Sequence, residues 1–159
     1  MPPISVNFEF VQRFKVPAKA AYAWATDYRP DDHELMGRRG RRKIDRVCEN
    51  TLVLTDTIEK EGGGRVTKKR HIRLYPERLT WINTHISGPN RHSQFLYEIT
   101  PEGGSASRLR FTGREIRTAG PTSARQLAAL VAEERKEDAA LWKRLARAME
   151  ADLGRAKRR

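Results

Sequence analysis

The sequence predicts an α+β protein, in which one antiparallel sheet of seven strands packs against a single long C-terminal helix. Three observations lead there. From about Pro121 to Leu153 the apolar residues recur at helical spacing. From about Arg41 to Arg117 the chain falls into six short runs separated by turn residues. Ahead of these stand one more alternating run and two short helical segments.

The elements follow in order. Val6, Phe8, Phe10, Phe14 and Val16 alternate with Asn7, Glu9, Arg13 and Lys15, the pattern of a half-buried strand. Pro17 opens a helix, since proline is tolerated in the first turn. Ala18, Ala21, Tyr22 and Ala25 give that helix an apolar face. Asp27 to Arg29 before Pro30 break it, and Asp31 to Leu35 form a second short helix that Gly37 ends. The six strands are expected at about Lys43 to Glu49, Thr51 to Lys60, Arg65 to Tyr75, Leu79 to Ser87, His92 to Thr100 and Ser107 to Arg117. Glu49-Asn50, Gly62-Gly63-Gly64, Pro76-Glu77, Gly88-Pro89-Asn90 and Pro101 to Ser105 supply the turns. The last helix carries Leu127, Leu130, Val131, Leu141, Trp142, Leu145, Met149 and Leu153 on one stripe, with Glu134 and Asp138 in its middle.

Strand register follows from the apolar pattern, because a slip of one residue turns every side chain over. A three-glycine loop sets Leu54 opposite Ile72, Leu52 opposite Leu74, Asp56 opposite Arg70 and Ile58 opposite Lys68. A two-residue Pro76-Glu77 turn sets Leu74 opposite Leu79, Ile72 opposite Trp81, Arg70 opposite Asn83 and Lys68 opposite His85. The next hairpins bring Trp81 near Tyr97, Asn83 near Phe95, Ile99 near Leu109 and Tyr97 near Phe111. One face is then apolar at one end and polar at the other, where Asp56, Arg70 and Asn83 form a row and Lys68 and His85 a second. That polar end is the natural partner for Glu134 and Asp138. Thr55, Thr57, Lys69, His71, Arg73, Arg108, Arg110 and Arg114 occupy the opposite, solvent-facing side.

Composition bounds the function. The 159 residues carry a net charge of +12, with 33% charged residues, 38% hydrophobic residues and a mean hydropathy of −0.75. One domain, residues 1–154, is expected, followed by a basic tail at 155–159. No apolar run is long enough to span a bilayer, and MPPISVNFEF lacks the layout of a signal peptide, so a cytoplasmic protein is expected. Cys48 stands alone, which excludes an intrachain disulfide. The positive charge favours anionic partners. Arg38, Arg39, Arg41, Arg42 and Lys43 cluster around Gly40, either as a solvated loop or as a phosphate-contacting rim. No P-loop, dinucleotide fingerprint or Gly-x-Ser-x-Gly is present. No His-x-x-x-His or His-x-His spacing occurs among His33, His71, His85 and His92, and no metal or cofactor is expected, a zinc site of His85, Glu134 and Asp138 being the one grouping open in principle.

The order of elements resembles the helix-grip superfamily, which includes START lipid-transfer domains, the birch-pollen allergen and polyketide cyclases. The resemblance rests on Phe8-Glu9-Phe10 leading to Val16-Pro17-Ala18, on the helix with Tyr22 and Trp24, and on the closing helix with Leu141-Trp142. The Val16-Pro17-Ala18 junction resembles the bacterial or archaeal branch. The resemblance implies a curved sheet gripping the long helix, with a cavity between them for a hydrophobic or amphipathic ligand. It transfers no catalytic residue.

Two functions are carried forward. In the first, a small amphipathic or anionic molecule binds between sheet and helix. Arg70 meets its anionic or polarised oxygen, with Asp56, Lys68, Asn83 and His85 around it and Trp81, Tyr97 and Phe111 against its apolar body. Glu134 or Asp138 then carries a proton in cyclase- or dehydratase-type chemistry, since partial burial raises a carboxyl pKa. A bland alternative makes these charges a buried network that locks helix to sheet. In the second function the protein is a non-enzymatic basic adaptor. It binds nucleic acid, ribosome or acidic membrane through its outer surface, without the exposed aromatics that stack on bases.

Overall fold

The structure is a computed structural model and describes residues 3–121 and 123–156. The elements are β1 (Ile4–Phe14), α1 (Ala18–Thr26), α2 (Asp32–Leu35), β2 (Gly40–Cys48), β3 (Thr51–Glu59), β4 (Arg65–Tyr75), β5 (Thr80–Ser87), β6 (Gln94–Glu102), β7 (Ala106–Arg117) and α3 (Ala124–Ala156). The strands make one antiparallel sheet in the order β1-β7-β6-β5-β4-β3-β2. The meander from β2 to β7 therefore runs in sequence order, and β1 closes onto β7.

Alternation decides which residues of β1 go inward: Val6, Phe8, Phe10 and Phe14 are buried, and Asn7, Glu9, Val11 and Arg13 are exposed or half-exposed. Pro17, at φ −60°, leads into α1, and its carbonyl accepts from the Ala21 N–H at 2.9 Å. Ala18, Ala21 and Tyr22 pack inward from α1. Gly37 ends α2 in the left-handed region at φ +67°. The left-handed φ is what favours glycine there, since the nearest neighbour of a Cβ would be the movable end of the exposed Arg144 side chain.

The inner face of the sheet presents Leu52, Leu54, Ile72, Trp81, Phe95, Ile99, Leu109 and Phe111, all buried. Trp81 and Tyr97 stack at 4.6 Å, and Trp142 of α3 lies 6.2 Å from Trp81. Trp142, Leu145, Ala146 and Met149 are the buried face of α3. Each large side chain among them contributes about 1.5–3 kcal/mol on burial. Leu127, expected on the same stripe, is 37% exposed. The helix thus grips the sheet with its C-terminal half and leaves its first turns outside. It runs through Ala156 and includes Arg155, whose guanidinium donates to the Ala151 carbonyl and the Asp152 carboxylate. The rest of the expected basic tail, Lys157 to Arg159, lies outside the described residues. No described helix is long and apolar enough to cross a membrane.

Two registers differ from the sequence expectation, each by two residues. Leu52, not Leu54, faces Ile72; Leu54 faces Arg70 and Asp56 faces Lys68. The cause is the loop: Glu59 pairs with Arg65, and Lys60 to Gly64 form a five-residue turn in which the Lys60 N–H donates to the Gly64 carbonyl. Across the next hairpin Leu74 faces Trp81, Ile72 faces Asn83 and Arg70 faces His85. Here Pro76–Arg78 form a 3-10 turn and Leu79 takes a left-handed φ of +48°, which removes it from the strand. A two-residue slip preserves the face on which each side chain stands. Trp81 opposite Tyr97, Asn83 opposite Phe95, Ile99 opposite Leu109 and Tyr97 opposite Phe111 are as expected.

Candidate functional site

A cavity of about 360 Å³ lies between the inner face of the sheet, the α1–α2 segment and α3. That is within the usual range for small-molecule sites. Trp81, Phe95, Tyr97, Phe111 and Trp142 line its aromatic part, and Arg38, Lys68, Arg70, Glu115, Arg117, Glu134 and Asp138 its polar part. Of the residues proposed from sequence, Glu134, Asp138, Arg70, Lys68, Asn83, His85, Trp81, Tyr97 and Phe111 all stand on this cavity. Asp56 does not. Its carboxylate sits behind the lining, occupied by two arginines.

That arginine pair belongs to a closed charge cluster. Arg42 donates through Nε to Asp56 at 2.6 Å and through Nη1 to Asp32 at 2.9 Å, and Arg70 donates to the other Asp56 oxygen. The Arg42 side chain is 2% exposed. Burial pushes the Asp56 carboxyl up, but the neighbouring Arg70 and Arg42 outweigh it and hold the group below its ordinary value. Burial also raises Asp32, which in addition accepts from the Arg29 backbone N–H at 2.9 Å. Arg42 therefore leaves the basic cluster around Gly40, which the sequence offers as a solvated loop or a phosphate-contacting rim. The reason is parity, since Arg42 shares the inward face of β2 with Ile44.

Glu134 is held as well. Arg117 donates to it and also reaches Glu115 at 3.1 Å. Burial raises the Glu134 carboxyl, and the adjacent Glu115 raises it further. This group ties α3 to the end of β7. Neither Arg117 nor Glu115 was picked out from sequence, although counting by twos from Phe111 through Gly113 places both on the inner face.

The remaining polar groups are open. Among the described residues the Asp138 carboxylate and the Lys68 ammonium have no hydrogen bond or ion pair from a side chain. Burial, then the charge of Glu134, pushes Asp138 up to about 6. Burial, then Arg38 and Arg70, pulls Lys68 below its ordinary value. His85 falls to about 3, through burial and then Arg70 and Lys68, so its imidazole is neutral at physiological pH. His85 Nδ1 and Asn83 Oδ1 are buried without a partner, which is uncommon in a folded interior. Tyr28 and Tyr97 are raised, chiefly by burial, and stay protonated as donors.

No three His, Cys, Asp or Glu side chains converge on a metal geometry among the described residues, so the zinc grouping of His85, Glu134 and Asp138 is not formed. Cys48 is exposed, its thiol lowered first by a hydrogen bond with Thr51.

No protein-family model matches the sequence, and no curated protein is a significant match. Solved structures do match. An aromatase/cyclase, ZhuI, from Streptomyces sp. R1128 superposes with a TM-score of 0.67 at 16% identity, covering 91% of this chain and 96% of that one. A protein of Thermus thermophilus gives 0.70 at 16%, covering 92% and 98%. A START superfamily protein from Mycobacterium smegmatis gives 0.65 at 12%, covering 94% and 98%. At these identities the likeness is one of fold: the chain has the helix-grip fold, a curved seven-stranded sheet around a long C-terminal helix.

Proposed function

We propose that this helix-grip protein binds a small amphipathic or anionic molecule in the cavity, and that Asp138 is the proton carrier for chemistry on it. The observation that carries the reading is the set of unpartnered polar groups around one aromatic cavity: Asp138, Lys68, His85 Nδ1 and Asn83 Oδ1. A structural network satisfies its members, as Arg42 and Asp56 do. Groups left open beside an empty volume have the disposition of a site. Among proteins of this fold, one is an aromatase/cyclase, which supports a ring-forming or dehydrating reaction.

The geometry supports the following roles. Arg70 supplies positive charge for a carboxylate, phosphate or developing enolate oxygen, and Lys68 lines the cavity beside it. Asn83 Oδ1 accepts from a ligand hydroxyl. The stacked Trp81–Tyr97 pair, with Phe111, covers the flat apolar part. Asp138, with its pKa near 6, is a carboxylate at neutral pH and takes a proton, then returns it. Glu134 is less suited to that work, since Arg117 occupies it. Asp56 is assigned a supporting role, holding Arg70 in place.

Native mass spectrometry of freshly purified protein, followed by solvent extraction, tests the reading. A retained small molecule supports it and gives the ligand's class. Co-purifying RNA with an empty cavity would instead favour the adaptor reading. Arg70→Met in a protein that still folds is expected to abolish ligand binding; unchanged affinity removes Arg70 from the site. The basic residues that the adaptor reading draws on differ in exposure. Arg42 is buried, and Arg108 and Arg110 face Glu102 and Glu9.

A further inference from the structure

We infer that Lys68 is a nucleophilic amine that forms an imine with an aldehyde or ketone ligand in the cavity, with Asp138 as the proton carrier. The inference rests on the cavity being a ligand site and narrows the ligand to a carbonyl compound.

Lys68 lies on the inner face of β4, in the polar part of the cavity, while Asp138 lines the same cavity from α3. The approach of the β5–β6 loop restricts the lysine stem. Gly88, at φ +99°, stands where a Cβ would be 3.2 Å from Lys68 Cγ, so the stem is covered and the amine is left at the cavity. The charged and titratable groups around it are Arg38 from the segment after α2, Arg70 on β4, His85 on β5, Asp56 on β3, Glu115 on β7 and Asp138 on α3. Two of these are guanidiniums. Arg70 and Asp56 neutralise each other, Glu115 is engaged by Arg117, and His85 is neutral. No carboxylate is within ion-pairing distance of the ammonium among the described residues. Partial burial beside the Arg38 guanidinium favours the free amine, the state that attacks carbonyl carbon.

The step balances as a condensation. The amine nitrogen bonds to the carbonyl carbon and the C=O π bond opens. One N–H proton passes to that oxygen, giving a carbinolamine. The Asp138 carboxylate takes the second N–H proton and passes it to the hydroxyl, which leaves as water. What remains is a neutral imine. One water is produced and Asp138 is restored.

The test uses 4-carboxybenzaldehyde at pH 7 with sodium cyanoborohydride, which reduces an imine to a stable amine. Adducts are mapped by peptide mass spectrometry across the nine lysines of the chain. Non-covalent occupancy is read in parallel by tryptophan fluorescence with 4-methylbenzoate, which has no carbonyl to attack; Trp24, Trp81 and Trp142 all line the cavity. The expected result is labelling of Lys68 at least about tenfold faster than any surface lysine, with excess 4-methylbenzoate protecting it. Lys68→Arg, which keeps the charge, should lose that adduct and leave surface labelling unchanged. Asp138→Asn should slow labelling of Lys68 several-fold relative to surface lysines in the same sample. If 4-methylbenzoate quenches but adducts spread evenly over the surface lysines, the imine inference is overturned and the cavity reading stands. If there is neither quenching nor a Lys68 adduct, both fall.

Discussion

Two charged clusters share the inner side of this sheet and differ in one respect. Around Asp56 every charge has a partner: Arg42 bridges Asp32 and Asp56, and Arg70 takes the second Asp56 oxygen. Around Asp138 almost none does, and the neighbouring Lys68, His85 Nδ1 and Asn83 Oδ1 are open too. Buried charge is costly unless paired. The first cluster meets that requirement and the second does not. A fold keeps the second arrangement only at a net cost to stability, and that cost is measurable.

The largest effect is expected at the closed cluster. Asp56→Ala strips Arg70 of its counter-charge and leaves the buried Arg42 with Asp32 alone, and should lower unfolding stability by about 3–5 kcal/mol. Urea denaturation at pH 7 measures it. A loss below about 1 kcal/mol would mean that the pairing does no more than a surface pair does.

Asp138→Asn should act in the opposite direction. The Asp138 carboxyl has a folded pKa of about 6 against an ordinary 3.8. The folded state therefore holds the proton more tightly, and the penalty of ionising grows as pH rises from about 3.8 to about 6. Above about pH 6 it is fully present, and removing it should stabilise the protein by up to about 3 kcal/mol. Below about pH 3.8 the gain should vanish. A variant less stable than the parent at about pH 8 would show that Asp138 has a partner, and the contrast between the clusters would collapse.

His85 gives the next effect, on the acid side. Its folded pKa of about 3 lies below the ordinary 6.5. Neutral His85 therefore supports the fold fully above pH 6.5, and that support is lost as pH falls toward 3. By about pH 4.5 the loss should be about 2–3 kcal/mol. In the parent protein the relief at Asp138 partly masks it. His85→Gln should remove that loss, so that stability rises as pH falls from about 6.5 to about 4.5 while Asp138 is relieved; an unchanged slope would take His85 out of the account. Glu134→Gln should cost least, about 1 kcal/mol, because Arg117 is a third exposed and water weakens the pair. Thermal unfolding at low and high salt would separate the charge from the packing.

Much of this was legible in the sequence, because the informative quantity was parity rather than register. Both misplaced hairpins slipped by two residues, so Arg70, Lys68, Asn83 and His85 kept their face while changing their partners. Turn length was not legible. Nothing in Pro76-Glu77-Arg78 marks where a 3-10 turn will stop, and Lys60 and Glu61 do not announce that they join the glycine loop. Arg42 was hidden for another reason. In a cluster of five basic residues around Gly40 its only distinction is standing two before Ile44, and charge by itself does not mark an inward side chain. Glu115 and Arg117 were missed for the same reason. Whether Asp138 was paired was beyond the sequence altogether, since it depends on which cation reaches α3.

The place of β2 at the sheet's edge has a consequence for the protein in solution. β1, the other edge, packs beside α3, whereas one side of β2 has no strand next to it among the described residues. A bare edge is a template onto which a second chain can add. Along it and just before it stand Arg39, Arg41, Lys43 and Arg46, all exposed. Two such edges brought together would set these like charges against each other at strand spacing. These four cations, of which Lys43 is paired with the exposed Asp45 at 3.0 Å, oppose such pairing, and the guard weakens as salt shortens the screening length to about 10 Å at 0.1 M and below.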